Sequence, residues 1–451
     1  MDACSLCPAC LGSGHQRTGR SSGARHRLQG LVSTPAAGRA SPQALADLAW
    51  LETGVARARQ IVGVASMRLG VLTSHPIQYQ APLFRELAQR LELEVFFAHR
   101  QTPEQQAAAG YGVAFDWDRD LLQGYSHAFV ANRARRPGVD RFSGCDTPEI
   151  GERIRRGAFD AFLVTGWHLK CYWQAVAACR RQGVPVMVRG DSQLLTPRHP
   201  LKQWAKAVVY PRLLHRFDAA LYVGERNREY LLHYGMPAER LFFAPHCVDT
   251  AFFAAGASAA DRAVLRAQWG IAEPGRVVLF SGRLVGVKRP ADMLKAIAQL
   301  RHRDLELTAV FVGDGALRSE LASLGKRLAV PIRFLGFKNQ GELPAVYAAA
   351  DALVLPSTGE TWGLVVNEAL ACGTPCVVSD ACGCAPDMIH PGVTGATFAM
   401  GDVAELARAL EAALGLPQAS PTLRAQSERY SVAATADGVV EACRWLAKGC
   451  Q

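Results

Sequence analysis

Nowhere in its 451 residues does the chain approach the roughly 18–20 uninterrupted apolar residues of a membrane-spanning helix, so none is expected to cross a bilayer. A basic and aromatic nucleic-acid-binding module is also missing, and a net charge of +10 is too modest to imply one, which excludes nucleic acid as a partner. Disulfide spacing is absent too. The 13 cysteines are scattered, and Cys171, Cys179, Cys372 and Cys376 sit inside apolar periodic segments, as reduced core thiols of a cytoplasmic protein would. Cys4, Cys7 and Cys10 form a CxxCxxC, but no fourth ligand follows at zinc-like spacing, so no metal is expected there. Residues 1–66 contain no lysine and no sustained apolar period before about Ala44. Rich in Arg, Gly, Ser and Ala, they fit either a transit peptide or a start assigned too early, with Met67 the true first residue. The second is favoured, because MRLGVLTS enters a strand at once; residues 1–66 are expected to be a disordered or non-native extension.

The length implies two to three domains, and 49 % hydrophobic residues suffice to build their cores. Charge is unevenly placed: residues 1–66 carry 7 basic and 3 acidic side chains, residues 67–255 carry 24 and 18, and residues 256–451 carry 19 of each. The basic excess is either solvated surface or an attraction for an anionic partner or membrane face. From Met67 onward short aliphatic runs (RLGVLTS, LEVFFA, DAFLVTG, VPVMVRG, DAALYVG) alternate with helical segments such as PLFRELAQRL and QAVAACRRQ. A second series follows, RVVLFSG, ELTAVFVGDG, PIRFLGF, DALVLPS and TPCVVSD. Strands alternating with helices in this way predict parallel sheets covered on both faces. The fold class is therefore α/β, with two doubly wound, Rossmann-like domains facing across a cleft. Their expected bounds are 67–250 for the first and 251–430 for the second, with a final amphipathic helix in 431–451 that crosses back to the first. The segment 242–256, with a proline and little periodicity, is read as a hinge that lets the cleft close on a ligand and exclude water.

Chemistry concentrates in GETWGLVVNEALACGTPCVVSD, residues 359–380. DALVLPS is a buried strand, GETWG the turn at its carboxyl end, and LVVNEALAC a helix stopped by Gly373, the residue type that suits a left-handed cap. This places Glu360 in a strand-to-helix loop and Glu368 farther into the helix. Alone, each is readable as a dipole-stabilising or solvated carboxylate. SGRLVGVKRP (281–290) changes the balance, because it sets Arg283 and Lys288 at the equivalent strand end of the same domain. Two cations beside the free amides of a helix start make a site for a diphosphate. VGDG (312–315) is a third strand-end loop at this rim.

GRL-x3-K, then VGDG, FLGF and E-x7-E, in this order, resembles the retaining glycosyltransferases of the GT-B fold, family 4 (glycosyl transferases group 1). The resemblance covers roughly residues 68–448, is strongest over 277–400, and is absent over 1–66. It implies that Arg283 and Lys288 hold a donor's diphosphate, that the amides of Trp362, Gly363 and Leu364 complete the phosphate cradle, and that the strand end at 333–337 flanks the base. Glu360 would read sugar hydroxyls, and Glu368 the ribose. Thr361–Trp362 stands where Gly–Phe is common, and Asp387 where Glu is usual. The family has no agreed carboxylate nucleophile of the kind a double displacement needs. The resemblance thus implies front-face transfer with retention, the leaving phosphate helping to deprotonate the acceptor. No metal and no other cofactor is expected, since DRD (118–120), the nearest thing to a DxD motif, lies in an irregular segment of the other domain. The nucleoside-diphosphate sugar is a co-substrate.

In the first domain, DAFLVTGWHLK ends a strand at His168, which is either the cleft histidine that family members set against the transferred sugar or an ordinary loop histidine. TSHPIQYQAP (73–82) departs from the glycine-rich loop of many relatives, and His75, Ile77 and Gln78 are candidates for lining the acceptor site. The acceptor is expected to be a glycan, a lipid-linked sugar or a small molecule. LKQWAKAVVYPRLLHRF (201–217) sets Trp204, Val208, Leu213 and Leu214 among Lys202, Lys206, Arg212 and Arg216. It is either a domain helix with a basic side, interrupted at Pro211, or a face that lies on anionic lipid. The expected location is accordingly the cytoplasm, with peripheral contact at the inner face of the membrane and a role in polysaccharide or glycolipid biosynthesis. Two competing readings keep the architecture: a nonhydrolysing sugar-nucleotide 2-epimerase, which would not carry GRL-x3-K with E-x7-E, and a non-catalytic sugar-nucleotide-binding subunit.

Overall fold

The computed structural model describes residues 67–102, 115–195, 200–301 and 305–449, with the side chains of 200–203 excepted. The expectations for residues 1–66, including Cys4, Cys7 and Cys10, lie outside the described residues.

Seven strands form the first sheet: β1 (Arg68–Thr73), β2 (Glu92–Phe97), β3 (Ser126–Phe129), β4 (Ala161–Val164), β5 (Val186–Gly190), β6 (Ala219–Tyr222) and β7 (Leu241–Phe243). Six form the second: β8 (Arg276–Ser281), β9 (Leu307–Val312), β10 (Ile332–Gly336), β11 (Ala352–Leu355), β12 (Cys376–Ser379) and β13 (Gly395–Phe398). Their orders are β3-β2-β1-β4-β5-β6-β7 and β10-β9-β8-β11-β12-β13, and every pairing is parallel. This is the GT-B architecture, two Rossmann-like α/β sheets in one chain. Parallel strands need crossovers, and the helices that supply them cover both faces. Val277 and Leu279 of β8 accordingly enter one core, with Val310 and Val312 of β9. The intervening Val278 and Phe280 join Ala309 and Phe311 in the core on the other face.

Each sheet reverses its strand order beside its first strand, between β1 and β4 and between β8 and β11. Ligands of such sheets bind in the crevice that the reversal opens at the carboxyl ends. The last helix, Val432–Gly449, lies against the first sheet: Thr435 donates to the Pro245 carbonyl at 2.8 Å, Arg90 pairs with Asp437 at 2.5 Å, and Trp445 meets Phe242.

Three strands stand beyond those legible in the sequence, β3, β7 and β13. The segment read as a hinge is more ordered than expected. It begins in β7 and ends in the helix Thr250–Ser258, whose start Asp249 caps by accepting the Phe252 N–H at 3.1 Å. Only 244–249 is irregular, and Ala244, His246, Cys247 and Val248 are buried within it. Cys171, Cys179, Cys372 and Cys376 are buried free thiols, as their setting predicted.

Candidate active site

The crevice between β8 and β11 is built from the loops that leave those strands, and the loops are tied together. Thr358 donates its N–H to the Val287 carbonyl at 2.9 Å and its hydroxyl to the same oxygen at 3.3 Å. Lys288 closes the short turn Gly286–Lys288 and forms an ion pair with Glu360. Both side chains are mostly enclosed, 19 % and 17 % exposed, so the pair is only weakly screened. Ser357 also donates to this carboxylate, at 3.4 Å. Arg283 lies half-buried on the same loop as Lys288.

VGDG is a spacing device. Leu284 donates to the Asp314 carbonyl at 2.9 Å, and a Cβ on Gly313 would stand 2.2 Å from the Gly282 carbonyl oxygen. Only glycine lets these two strand-end loops lie this close. Asp314 itself pairs with Arg318 at 3.0 Å.

Glu368 sits in the helix Leu364–Ala371 and accepts the Tyr347 hydroxyl at 2.5 Å. That hydroxyl is also 3.1 Å from Ser281 Oγ at the end of β8, so Glu368 is linked to the strand end from which Arg283 departs. Burial pushes the Glu368 carboxyl up to about 7, against the Tyr347 hydrogen bond. Gly363 precedes the helix with φ 115°, and no side chain caps it; within the first turn the Val366 N–H is taken by the Gly363 carbonyl at 2.9 Å. The Trp362 side chain is 3 % exposed, packs beside His246 and Tyr430, and donates its indole N–H to Asn367 at 2.8 Å. It offers a ligand only its backbone.

Across the crevice, His75 and His168 follow β1 and β4. Burial, then the neighbouring His99 and His168, lower His75 to about 4. Burial likewise lowers His168, against the attraction of Asp191. Both imidazoles are therefore neutral near pH 7, and Ser74 Oγ lies 3.0 Å from His75 Nδ1. The Ile77 carbonyl accepts from Gln80 and Ala81 and so begins the helix Gln80–Arg90; Gln78 is half-exposed in the same turn.

DRD serves chain contacts: Asp118 accepts the Gly341 N–H at 2.7 Å, Arg119 pairs with Asp249 at 3.3 Å, and Asp120 accepts the Leu122 N–H at 2.8 Å. Among the described residues, no three His, Cys, Asp or Glu side chains are grouped to hold a metal. The basic face expected on 201–217 is corrected at Lys206 alone; Arg212 and Arg216 are exposed, and the Lys202 side chain lies outside those described. The helix there, Pro200–Leu214, runs through Pro211, and Lys206 points inward, its ammonium 4.4 Å and 4.6 Å from the Tyr210 and Tyr230 ring centres. Cation–π attraction outcompetes water for it. Leu214 is buried as well, whereas Trp204 and Val208 are 66 % and 44 % exposed.

Four residues here escaped sequence reasoning: Asp191, Gln193, His246 and Tyr347. Asp191 and Gln193 directly follow β5, a strand end already legible as such, which was the available signal.

Residues 261–430 match the model of the family Glycosyl transferases group 1. The chain is 37 % identical over 173 residues to D-inositol 3-phosphate glycosyltransferase of Actinosynnema mirum, covering 36 % of this chain and 40 % of that protein. It is 36 % identical over 209 residues to D-inositol 3-phosphate glycosyltransferase 1 of Catenulispora acidiphila, covering 44 % and 49 %. The matches thus span less than half the length of these two relatives. Among solved structures, Anabaena HepE in complex with UDP and glucose superposes with a TM-score of 0.60 at 19 % identity, over 83 % of this chain and 98 % of that one. Sucrose-phosphate synthase from Thermosynechococcus elongatus does so with 0.61 at 18 % identity, over 85 % and 100 %.

Proposed function

We propose that the chain is a retaining, metal-independent glycosyltransferase of family 4, moving a sugar from a nucleoside-diphosphate sugar to a hydroxyl of a glycan, lipid-linked or small-molecule acceptor. The observation that supports this most is the meeting of Lys288 and Glu360 at the switch point of the second sheet, beside an uncapped helix start. A diphosphate drawn to Lys288 competes with Glu360 for the ammonium, and the released carboxylate accepts from sugar hydroxyls. Arg283 and Lys288 then stabilise the charge that grows on the departing diphosphate. Glu368 accepts from the ribose, and the amides of Gly363 and Leu364 complete the cradle.

Retention follows when the acceptor oxygen attacks from the face the phosphate leaves, that phosphate taking the hydroxyl proton. His168, neutral by burial, gives the sugar a hydrogen-bonding partner without adding charge. His75, Ile77 and Gln78 form the acceptor wall. Similar folds hold UDP, and the curated relatives act on an inositol phosphate, which supports a uridine or related donor and a polyol or sugar acceptor. Exposed Trp204 and Val208, with Arg212 on the same helix, support peripheral contact with an anionic membrane at the cytoplasmic face.

A thermal-shift panel of UDP-, GDP- and ADP-sugars selects the donor. Proton NMR of the product formed from that donor and a polyol or sugar acceptor then reads the anomer. Transfer with the donor's configuration kept is the expected result. An inverted product refutes the mechanism, and a donor epimerised at C2 without transfer refutes the activity.

A further inference from the structure

The loop that carries Glu360 is held from the opposite side of the crevice. Asp191 Oδ2, directly after β5, accepts the Thr361 hydroxyl at 2.8 Å. Gln193 donates its amide to the carbonyl of Glu360 itself, also at 2.8 Å, and that oxygen accepts the Gly383 N–H at 2.8 Å as well. His246 Nε2 stands 3.8 Å from the same Asp191 oxygen, and its carbonyl accepts from Asn367, the partner of the Trp362 indole, at 3.0 Å. Three consecutive residues, Glu360, Thr361 and Trp362, are thereby tied to residues beyond their own sheet. The holding loop is itself fixed, because Asn227 donates to the Ser192 carbonyl at 2.8 Å and accepts the Val223 N–H at 3.2 Å.

The chemistry of these partners suits alignment. Burial works to raise the Asp191 carboxyl, but the neighbouring His246 imidazole and the hydrogen bond from Thr361 outweigh it and hold the group below its usual range. An ionised acceptor makes a shorter, stronger hydrogen bond than a neutral one, so the Thr361 hydroxyl is directed at it. Gln193 is 2 % exposed, and its Oε1 has no partner among the described residues. Turning the amide over would set that oxygen against the Glu360 carbonyl, so the N–H contact fixes the orientation.

We propose that Asp191 and Gln193 are positioning residues, which set where the Glu360 carboxylate stands relative to the transferred sugar. This rests on the reading of Glu360 as the residue that meets that sugar. The same interface carries its own control. Arg226 donates to the Cys382 carbonyl at 2.9 Å, joining the two sides without touching Glu360 or Thr361.

The test uses the full chain and the donor selected above, with steady-state kinetics, calorimetry of the nucleoside diphosphate alone, and thermal unfolding of each variant. Thr361→Val, Asp191→Ala and Gln193→Ala are each expected to lower kcat by roughly 10- to 100-fold, the range for losing a hydrogen bond to a charged or aligning group. Nucleoside-diphosphate affinity changes far less than kcat, because the groups assigned to it do not touch Asp191 or Gln193 and only Lys288 is reached through Glu360. The Asp191→Ala/Thr361→Val double variant loses no more than the worse single one, Thr361→Ser restores activity, and Arg226→Ala stays near wild type. Additive losses, an equal fall in diphosphate affinity, or an Arg226→Ala loss of the same size would make Asp191 and Gln193 mere interface contacts and overturn the proposal. Failure of the wild-type chain to bind any nucleotide sugar is a different result: it overturns the donor site first, and the positioning role with it.

Discussion

Glu368 makes the account testable through pH. Its carboxyl, raised by burial from 4.5 to about 7, is half protonated near neutrality, and the ribose contact assigned to it needs the ionised form. A donor that binds only the carboxylate loses affinity tenfold for each pH unit below that value. Between pH 7.5 and 5.5 the dissociation constant should therefore rise about 25-fold. A nucleoside-diphosphate sugar carries no phosphate that titrates in this window, so the slope belongs to the protein. Glu368→Gln should bind more weakly at pH 7.5 and flatten the profile. Asp387, pushed up to about 6 by burial, titrates nearby but faces Glu225 and Tyr430, and the Gln variant separates the two.

Stability should move the opposite way. The folded state holds the Glu368 proton between about 4.5 and 7 while the unfolded state releases it, so this group's contribution falls as pH rises through that window. The change amounts to at most about 3 kcal/mol. Glu368→Gln, which still accepts from Tyr347, should thus unfold at higher denaturant than wild type at pH 8 and match it at pH 4.5. Calorimetry across pH 5.5–8 with denaturant melts reads both effects. Donor affinity independent of pH in the wild type, or an equal slope in Glu368→Gln, would refute the reasoning.

Glu360→Gln leaves the Lys288 ammonium without its anion and is expected to destabilise the fold by about 1–3 kcal/mol while lowering kcat; denaturant melts and initial rates check this. Gly313→Ala forces apart the loops after β8 and β9, costing about 2–4 kcal/mol and weakening diphosphate binding, as melts and calorimetry would show. Trp204→Ala should reduce co-sedimentation with vesicles containing anionic phospholipid and leave turnover of a soluble acceptor unchanged; equal sedimentation would remove the membrane contact.

The strands that the sequence made legible are those buried on both faces, such as RVVLFS and AFLV, because continuous aliphatic runs have no other use in a chain this rich in turns. SHAF lies at a sheet edge with Ser126 and His127 exposed, LFF is three residues long, and GATF is opened by a glycine. None of these carries enough apolar residues to stand out. Lys288 and Glu360 were legible because each follows a clear strand, and the fold rule fixes what strand ends do. Tyr347 was hidden, since a tyrosine in an apolar helix reads as core, and only the structure brings its hydroxyl to Ser281 and Glu368. Lys206 was misread for the converse reason: periodicity marks a charged position, but the tyrosines that draw it inward lie on this helix and on Glu225–His233 and beyond.

The central claim is that the crevice between β8 and β11 binds the diphosphate of a nucleotide sugar through Arg283 and Lys288. The most direct measurement is a calorimetric titration of the donor into the wild-type chain and into Arg283→Ala/Lys288→Ala, with both checked for folding. Saturable binding to the wild type, lost in the double variant, is the predicted result. Equal binding to both folded proteins would place the donor elsewhere and contradict the account.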